Sequence, residues 1–134
     1  MKTAREEQGP AALARNYLQG CLLLLVAESP GHGYELLDQL PELGLERVDS
    51  SALYRALRRL NDQGLVESWW EESANGPARR TYRLTPEGAG FLGDTARTVA
   101  ATSSHLRRFL ARHRQVSWTG HRDGVVRSRD AGAA

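Results

Sequence analysis

The sequence predicts a mainly α-helical fold with a small β-hairpin, namely a winged helix-turn-helix followed by one long C-terminal dimerisation helix. Residues 50–63 carry apolar side chains at helical spacing, and residues 65–72 and 79–85 alternate like two strands around a Gly-Pro turn. From Thr85 onward, apolar residues recur every three or four positions. A helix followed by a strand, a basic turn and a second strand is the element order of a winged helix.

Length and composition favour one globular domain. The chain has 134 residues, of which 40% are hydrophobic and 25% charged, and this is enough to bury a core. The net charge of +2 says little about nucleic acid, but arginines cluster in residues 79–83 and 107–114. The single Cys21 excludes an intramolecular disulfide, and the apolar run 18–27 is too short to span a bilayer. We therefore expect a cytoplasmic protein without membrane association.

Two helices are expected before residue 50. The first begins at Pro10 and ends before Ser29, and because its last turns are apolar nearly all round, it should be a scaffold. Residues 31–33 are interpreted as a tight connection. Residues 34–40 predict a short helix that Pro41 stops, and this helix forms a helix-turn-helix pair with residues 50–63.

The predicted helix at residues 50–63 has one apolar and one polar face. Leu53, Ala56, Leu57 and Leu60 form the apolar stripe. Ser50 or Ser51 is expected to cap the start of the helix, and Gly64 follows its end. The opposite face carries Tyr54, Arg55, Arg58, Arg59 and Asp62. Because arginine, tyrosine and N-terminal serine groups donate hydrogen bonds to phosphates and base edges, this helix is predicted to read DNA.

The predicted hairpin has a basic tip at residues 76–80, which should rest on the DNA backbone or in the minor groove. Strand alternation places Val66, Ser68 and Trp70 on one face of the hairpin, so Trp70 is expected to join Tyr82 and Leu84 in the core. The alternation leaves Trp69 on the other face. Its indole either packs there, holds a wing arginine by a cation–π contact, or forms the wall of a ligand pocket.

The segment after the hairpin predicts a dimer. Thr85-Pro86-Glu87 combines a cap, a proline at the first helical position and an acid in the first turn. The apolar stripe that follows has no later segment to cover it, so a second copy should pack on Leu92, Val99, Leu106, Phe109 and Leu110. The predicted organisation is a winged helix-turn-helix domain at 10–84, a dimerisation helix at 85–114 and a flexible basic tail at 115–134.

Several motifs resemble, in order and spacing, those of the PadR family of bacterial transcriptional regulators. They are His32-Gly33-Tyr34-Glu35-Leu36, Ser51-Ala52-Leu53-Tyr54-Arg55-Ala56-Leu57-Arg58-Arg59-Leu60, Gly64-Leu65-Val66-Glu67, Gly76-Pro77-Ala78-Arg79-Arg80-Thr81-Tyr82 and Leu84-Thr85-Pro86-Glu87-Gly88. The resemblance implies a dimeric winged-helix repressor of the smaller branch, with one C-terminal helix and, in many members, regulation by a small aromatic or cationic ligand. It places the family's reading tyrosine on Tyr54. Arg55 departs from the family's usual proline and adds a charge to the reading helix.

These arguments predict two partners, double-stranded DNA and a second copy of the chain, and no cofactor. The candidate DNA-binding residues are Tyr34, Ser50, Ser51, Tyr54, Arg55, Arg58, Arg59, Gly76, Arg79 and Arg80. A candidate pocket for a small aromatic or cationic effector involves Tyr17, Trp69 and Trp118.

Enzymatic and metal chemistry are not expected. The sequence places no nucleophile near a base at a suggestive spacing. His105 and His113 are eight residues apart, which is about 12 Å along a helix and too far for one metal ion within a chain. An alternative from another class is a winged helix that contacts proteins and has no specific operator, because this fold alone does not fix function.

Overall fold

The computed structural model describes residues 10–116 and Trp118, with the side chains described from residue 16 onward. Within these residues it contains four α-helices and one three-stranded antiparallel sheet. The elements are α1 (Pro10–Glu28), β1 (Gly31–His32), α2 (Gly33–Gln39), a short 3-10 helix (Leu40–Leu43), α3 (Ser50–Asp62), β2 (Val66–Ser73), β3 (Gly76–Leu84) and α4 (Pro86–Arg114). The predicted fold class is confirmed. Most of the predicted tail, 115–134, lies outside the described residues.

The core is formed by the apolar sides of the first three helices and the base of the sheet. Its fully buried side chains come from α1, from α2 with the 3-10 helix, and from α3, and are Leu22, Leu23, Leu36, Leu40, Leu53, Leu57 and Leu60. The last turns of α1 are buried on most sides, as the sequence predicts for a scaffold helix. Cys21 is buried there, and this burial raises the pKa of its thiol.

Helix α3 begins one residue earlier than a serine cap would allow. The carboxylate of Asp49 accepts a hydrogen bond from the backbone N–H of Ala52 at 2.8 Å, and Asp49 has extended backbone angles. The prediction of a cap by Ser50 or Ser51 is therefore wrong, because both serines already belong to the first helical turn. Gly64 follows the end of the helix with φ of 75°, as predicted for a glycine that stops a helix.

The sheet has the strand order β1-β3-β2. Residues 31–33, predicted as a tight connection, instead include strand β1, in which Gly31 pairs with Tyr82 and His32 with Thr81. A two-residue strand is too short to show alternation, so the sequence pattern could not reveal it. Strands β2 and β3 form the predicted hairpin, hereafter the wing, and its register includes the pairs Ser68 with Tyr82 and Trp70 with Arg80.

Trp70 is not a core residue, contrary to the prediction from strand alternation. Its side chain is 64% exposed, whereas Tyr82 on the paired strand is buried. Helix α3 covers this face of the wing only as far as Ser68, whose hydroxyl donates a hydrogen bond to Asn61 Oδ1 at 3.1 Å. Trp70 lies two residues further along β2 toward the hairpin turn, so the core ends before it.

Helix α4 begins against Gly64 and Leu65, in the short link between α3 and β2. The Thr85 hydroxyl donates to the Gly64 carbonyl at 2.6 Å and accepts the backbone N–H of Gly88 at 3.0 Å, which confirms the predicted threonine cap. A Cβ atom at Gly88 would lie 2.0 Å from the Leu65 carbonyl oxygen, so only glycine allows this approach.

The chain divides into two compact units, Met1–Ser103 and Ser104–Ala134. The first contains the sheet, α1 to α3 and the larger part of α4. In that unit α1 and α4 approach closely, because a Cβ atom at Gly20 would lie 2.6 Å from Thr95 Cγ2. The described part of the second unit consists of the end of α4, residues 115 and 116, and Trp118.

Candidate nucleic-acid interface

Helix α3 presents a continuous polar face to solvent, which we call the reading face. The reading face consists of Ser50, Ser51, Tyr54, Arg55, Arg58 and Arg59. All six were predicted as DNA-binding residues, and all six are exposed. Two serines and a hydroxyl-bearing ring accompany three arginines, so the face is rich in hydrogen-bond donors. The opposite side of α3 is the buried stripe described above. The helix therefore has one side fixed in the core and one side available to a partner.

The ring of Tyr54 is held in place by helix α2. A Cβ atom at Gly33, the first residue of α2, would lie within 2.6–2.8 Å of the Tyr54 ring atoms. The absence of a side chain at Gly33 therefore lets the ring lie over the start of α2. This role of Gly33 was not predicted from the sequence, because the contact joins two residues that are distant in the chain.

The first wing arginine is joined to helix α2. Arg79 donates hydrogen bonds to the Tyr34 hydroxyl and, at 3.0 Å, to Ser73 Oγ. Its guanidinium carbon lies 5.6 Å from the centroid of the Tyr34 ring, a distance at which a cation–π contact contributes. The structure thus brings together Tyr34 and Arg79, two predicted DNA-binding residues. Gly76, a third, begins β3 at the exposed tip of the wing.

The second wing arginine lies beside helix α3. Arg80 Nε donates to Ser68 Oγ at 3.0 Å, and the Arg80 guanidinium carbon lies 5.5 Å from the centroid of the Trp70 ring. Between α3 and the wing is a groove of about 570 Å³, lined among others by Tyr54, Arg58, Trp70, Arg80 and Tyr82. Burial raises the pKa of the Tyr82 hydroxyl, and the charges of Arg80 and Arg58 oppose that increase. The groove is therefore both aromatic and cationic.

His32 connects the start of α2 to both strands of the wing. Its Nδ1 lies 3.1 Å from Thr81 Oγ1, and its Nε2 lies 3.7 Å from a carboxylate oxygen of Glu71. Thr81 in turn donates a hydrogen bond to Glu71 at 2.7 Å, and the backbone N–H of His32 donates to Glu35 at 3.0 Å. This network was not predicted. It attaches the wing to the helix-turn-helix pair on the side of the sheet opposite the groove.

Three residues were predicted to form an effector pocket. Two of them, Tyr17 and Trp69, belong to the first unit, and there they contact different residues. The Tyr17 hydroxyl donates to the Leu43 carbonyl at 2.9 Å, and its burial raises its pKa. Trp69 is 36% exposed and lies under Arg83, whose guanidinium carbon is 5.3 Å from the indole centroid. Trp118 belongs to the second unit and is exposed. The effector pocket stays a prediction.

The residues predicted for dimerisation lie along α4. Val99, Leu106, Phe109 and Leu110 are exposed, and Phe109 is the most exposed of them at 70%. Leu92 packs partly against the core of its own chain. Dimerisation through these residues stays a prediction, since the structure contains a single chain.

Metal-binding clusters and membrane-spanning helices are both absent from residues 10–116 and Trp118. That part of the chain contains no group of three or more His, Cys, Asp or Glu side chains arranged to hold a metal ion. None of its helices is both long enough and apolar enough to cross a membrane.

Comparison with known proteins extends the structural description. Residues 22–94, more than half of the chain, match the model of the transcriptional regulator PadR-like family. Transcriptional regulator Rv3488 of Mycobacterium tuberculosis is 37% identical over 73 residues, which cover 54% of this chain and 66% of that protein.

Crystal structures give the same result. A PadR-like transcriptional regulator from Bacillus cereus matches with a TM-score of 0.66 at 25% identity, covering 79% of this chain and 99% of that one. A PadR family transcription regulator from Clostridium difficile matches with a TM-score of 0.63 at 25% identity, covering 70% of this chain and 98% of that one. The protein described here therefore belongs to the PadR-like family of transcriptional regulators.

Proposed function

We propose that this regulator is a homodimeric repressor that binds a pseudo-palindromic operator in double-stranded DNA. The observation that carries the proposal is the reading face of α3, which exposes three arginines, Tyr54 and two serines on a helix whose other side is fixed in the core. A helix of this kind fits the major groove, where arginine side chains recognise guanine and phosphate groups.

The wing supports the proposal because it adds cationic groups beside that helix. Arg79 and Arg80 project from β3, and each is oriented by hydrogen bonds to neighbouring side chains. We assign these two arginines to the DNA backbone or minor groove, and Tyr54, Arg55 and Arg58 to base edges. Contacts of the first kind supply affinity, and contacts of the second kind supply sequence preference.

The proposed dimer follows from symmetry and from the exposed apolar residues of α4. A two-fold dimer presents two identical reading helices, so its operator should contain two inverted half-sites about one helical turn of DNA apart. Occupancy of such a site within a promoter would block transcription.

An effector would add control to this binding function. The resemblance to PadR regulators and the partly exposed indole of Trp69 support this part of the proposal, and candidate compounds are small aromatic or cationic molecules. A compound that acts as an inducer should change tryptophan fluorescence and weaken operator binding in the same titration. Compounds that change neither property contradict the assignment.

The proposal is tested by fluorescence-anisotropy titration with DNA from the protein's own promoter region and with a scrambled duplex. Tyr54→Ala and Arg58→Ala should each cost about 1–3 kcal/mol on the promoter DNA if the residue reads a base. Arg79→Ala should weaken both duplexes and reduce the salt dependence of binding. Arg97→Ala is a matched control, because this arginine lies on α4 and pairs with Asp94.

The same titration decides between the two classes of function. Preferential binding of the promoter duplex that is lost in the Tyr54 and Arg58 variants supports a specific regulator. Equal affinity for both duplexes, unchanged by these substitutions, would favour the winged helix as a protein-interaction module.

A further inference from the structure

The groove between α3 and the wing contains one residue, Trp70, that the proposed reading of DNA does not use. Trp70 exposes 64% of its surface there, although an indole is large and mostly apolar. Tyr82, in the same groove, is buried and belongs to the core. Tryptophan and arginine are both enriched in interfaces with partners relative to the rest of a protein surface.

Arg80 is oriented by two neighbours in this groove. Its Nε–H donates a hydrogen bond to Ser68 Oγ at 3.0 Å, and its guanidinium carbon lies 5.5 Å from the centroid of the Trp70 ring. A guanidinium has five N–H donors, so four remain for a ligand. Ser68 is itself fixed, because its hydroxyl donates to Asn61 of α3. The plane and position of the Arg80 guanidinium are therefore set before any ligand binds.

The two arginines that line the groove form no ion pair within the described part of the chain. Neither Arg80 nor Arg58 has a carboxylate within 4.0 Å there, although Asp62 also lines the groove. The second tryptophan–arginine pair of the wing differs in this respect. Arg83 lies over Trp69 at 5.3 Å and also forms an ion pair with Glu67 at 2.6 Å. The two pairs share their aromatic chemistry, but of their two arginines only Arg83 forms an ion pair.

We infer that this groove binds one sugar-phosphate unit of the DNA backbone, with Arg80 on the phosphate and the Trp70 ring against the deoxyribose. The inference rests on the proposed DNA-binding function and adds Trp70 to it as a contact and positioning residue. A phosphodiester oxygen can accept hydrogen bonds from the remaining N–H groups of the Arg80 guanidinium, and the adjoining sugar supplies an apolar surface for the indole. Because every nucleotide has this unit, the contact should contribute affinity without sequence preference.

The test is a double-mutant cycle on Trp70 and Arg80, measured by anisotropy with promoter and scrambled duplexes at several salt concentrations. Trp70→Ala and Arg80→Ala should each weaken both duplexes by roughly tenfold. Arg80→Ala should also reduce the magnitude of the slope of log affinity against log salt by about 1, the change expected for the loss of one phosphate contact. The fold-loss of DNA affinity in the double variant should be far smaller than the product of the fold-losses in the two single variants, because Trp70 acts partly through Arg80.

Two further variants separate this role from wing stability. Trp70→Phe retains an aromatic face for the guanidinium and should recover most of the affinity. Arg83→Ala removes the arginine that is already paired with Glu67 on the opposite face of the wing and should change affinity by less than about twofold. Thermal unfolding of each variant verifies that the fold is retained.

The outcomes are distinguishable. Unchanged affinity in Trp70→Ala, independent losses in the cycle, or a loss confined to the promoter duplex would overturn the backbone site. If the wild-type protein binds both duplexes equally and Trp70→Ala weakens both, the proposal of a specific operator is wrong and the proposed backbone site is supported. Failure of the wild-type protein to bind either duplex would overturn both.

Discussion

Gly88 shows how a single residue sets the position of a whole element. The backbone of α4 approaches the Leu65 carbonyl so closely that a Cβ atom would lie 2.0 Å from its oxygen. A backbone oxygen cannot move aside as the end of a flexible side chain can. The contact therefore fixes where α4 begins relative to the residues that link α3 to the wing.

We expect Gly88→Ala to destabilise the protein. Overpacking of this kind costs about 1–3 kcal/mol or more, and the midpoint of thermal unfolding should fall by roughly 5 °C for each kcal/mol. Gly90→Ala is the matched control, because it lies in the same helix with open space around it. That variant should gain about 0.5–1 kcal/mol from helix propensity. Equal unfolding midpoints for the two variants would contradict the described packing at Gly88.

At the scale of elements, helix α3 is the part of the chain that the sequence describes best. Its apolar stripe, Leu53, Ala56, Leu57 and Leu60, is fully confirmed as buried, and its exposed face has the predicted composition. Helical periodicity is a local property, so it can be read directly from the order of residues. The position of α4 against Leu65, by contrast, depends on a contact between segments.

The start of α3 provides a test of its own. Asp49→Ala removes the carboxylate that accepts the Ala52 N–H and should cost about 1 kcal/mol of stability. Ser50→Ala, one residue further along, should change stability by less than about 0.5 kcal/mol, because Ser50 is already within the helix. Chemical denaturation of both variants measures the difference. A larger loss for Ser50→Ala would show that the serine is the functional cap.

The wing shows where sequence reasoning fails. Strand alternation correctly assigned Ser68, Trp70 and Tyr82 to one face, but it did not show that the core ends at Ser68. Burial along a strand depends on how far the packed helix extends, which is a tertiary property. The same limit applies to the His32 network and to the pairing of Arg79 with Tyr34, since both join segments more than forty residues apart. The candidate residues were thus predictable, while their partners were not.

At the scale of the whole molecule, function depends on the proposed two-fold dimer. Phe109→Glu places a charge on the most exposed apolar residue of α4, and in a symmetric dimer both copies would bring a charge to the interface. We expect this variant to sediment as a monomer and to bind the promoter duplex more weakly. Ala101→Glu adds the same charge at an exposed position on another side of α4 and should remain dimeric. A Phe109→Glu protein that stays dimeric would contradict the predicted interface.

Operator binding also connects all three scales. In the proposed function, the side chains of the reading face supply base contacts, the wing supplies backbone contacts, and the dimer duplicates both at a fixed spacing. A monomer with the same reading face would protect one half-site only. The pattern of protection along the DNA therefore reports the complete arrangement.

The most direct test is hydroxyl-radical footprinting of the wild-type protein on DNA from its own promoter region. The account predicts two inverted regions of protection on one side of the duplex, separated by about one helical turn, or roughly 10 base pairs. Uniform protection along the fragment, or protection of a single half-site at saturating protein, would contradict a homodimer that binds a pseudo-palindromic operator.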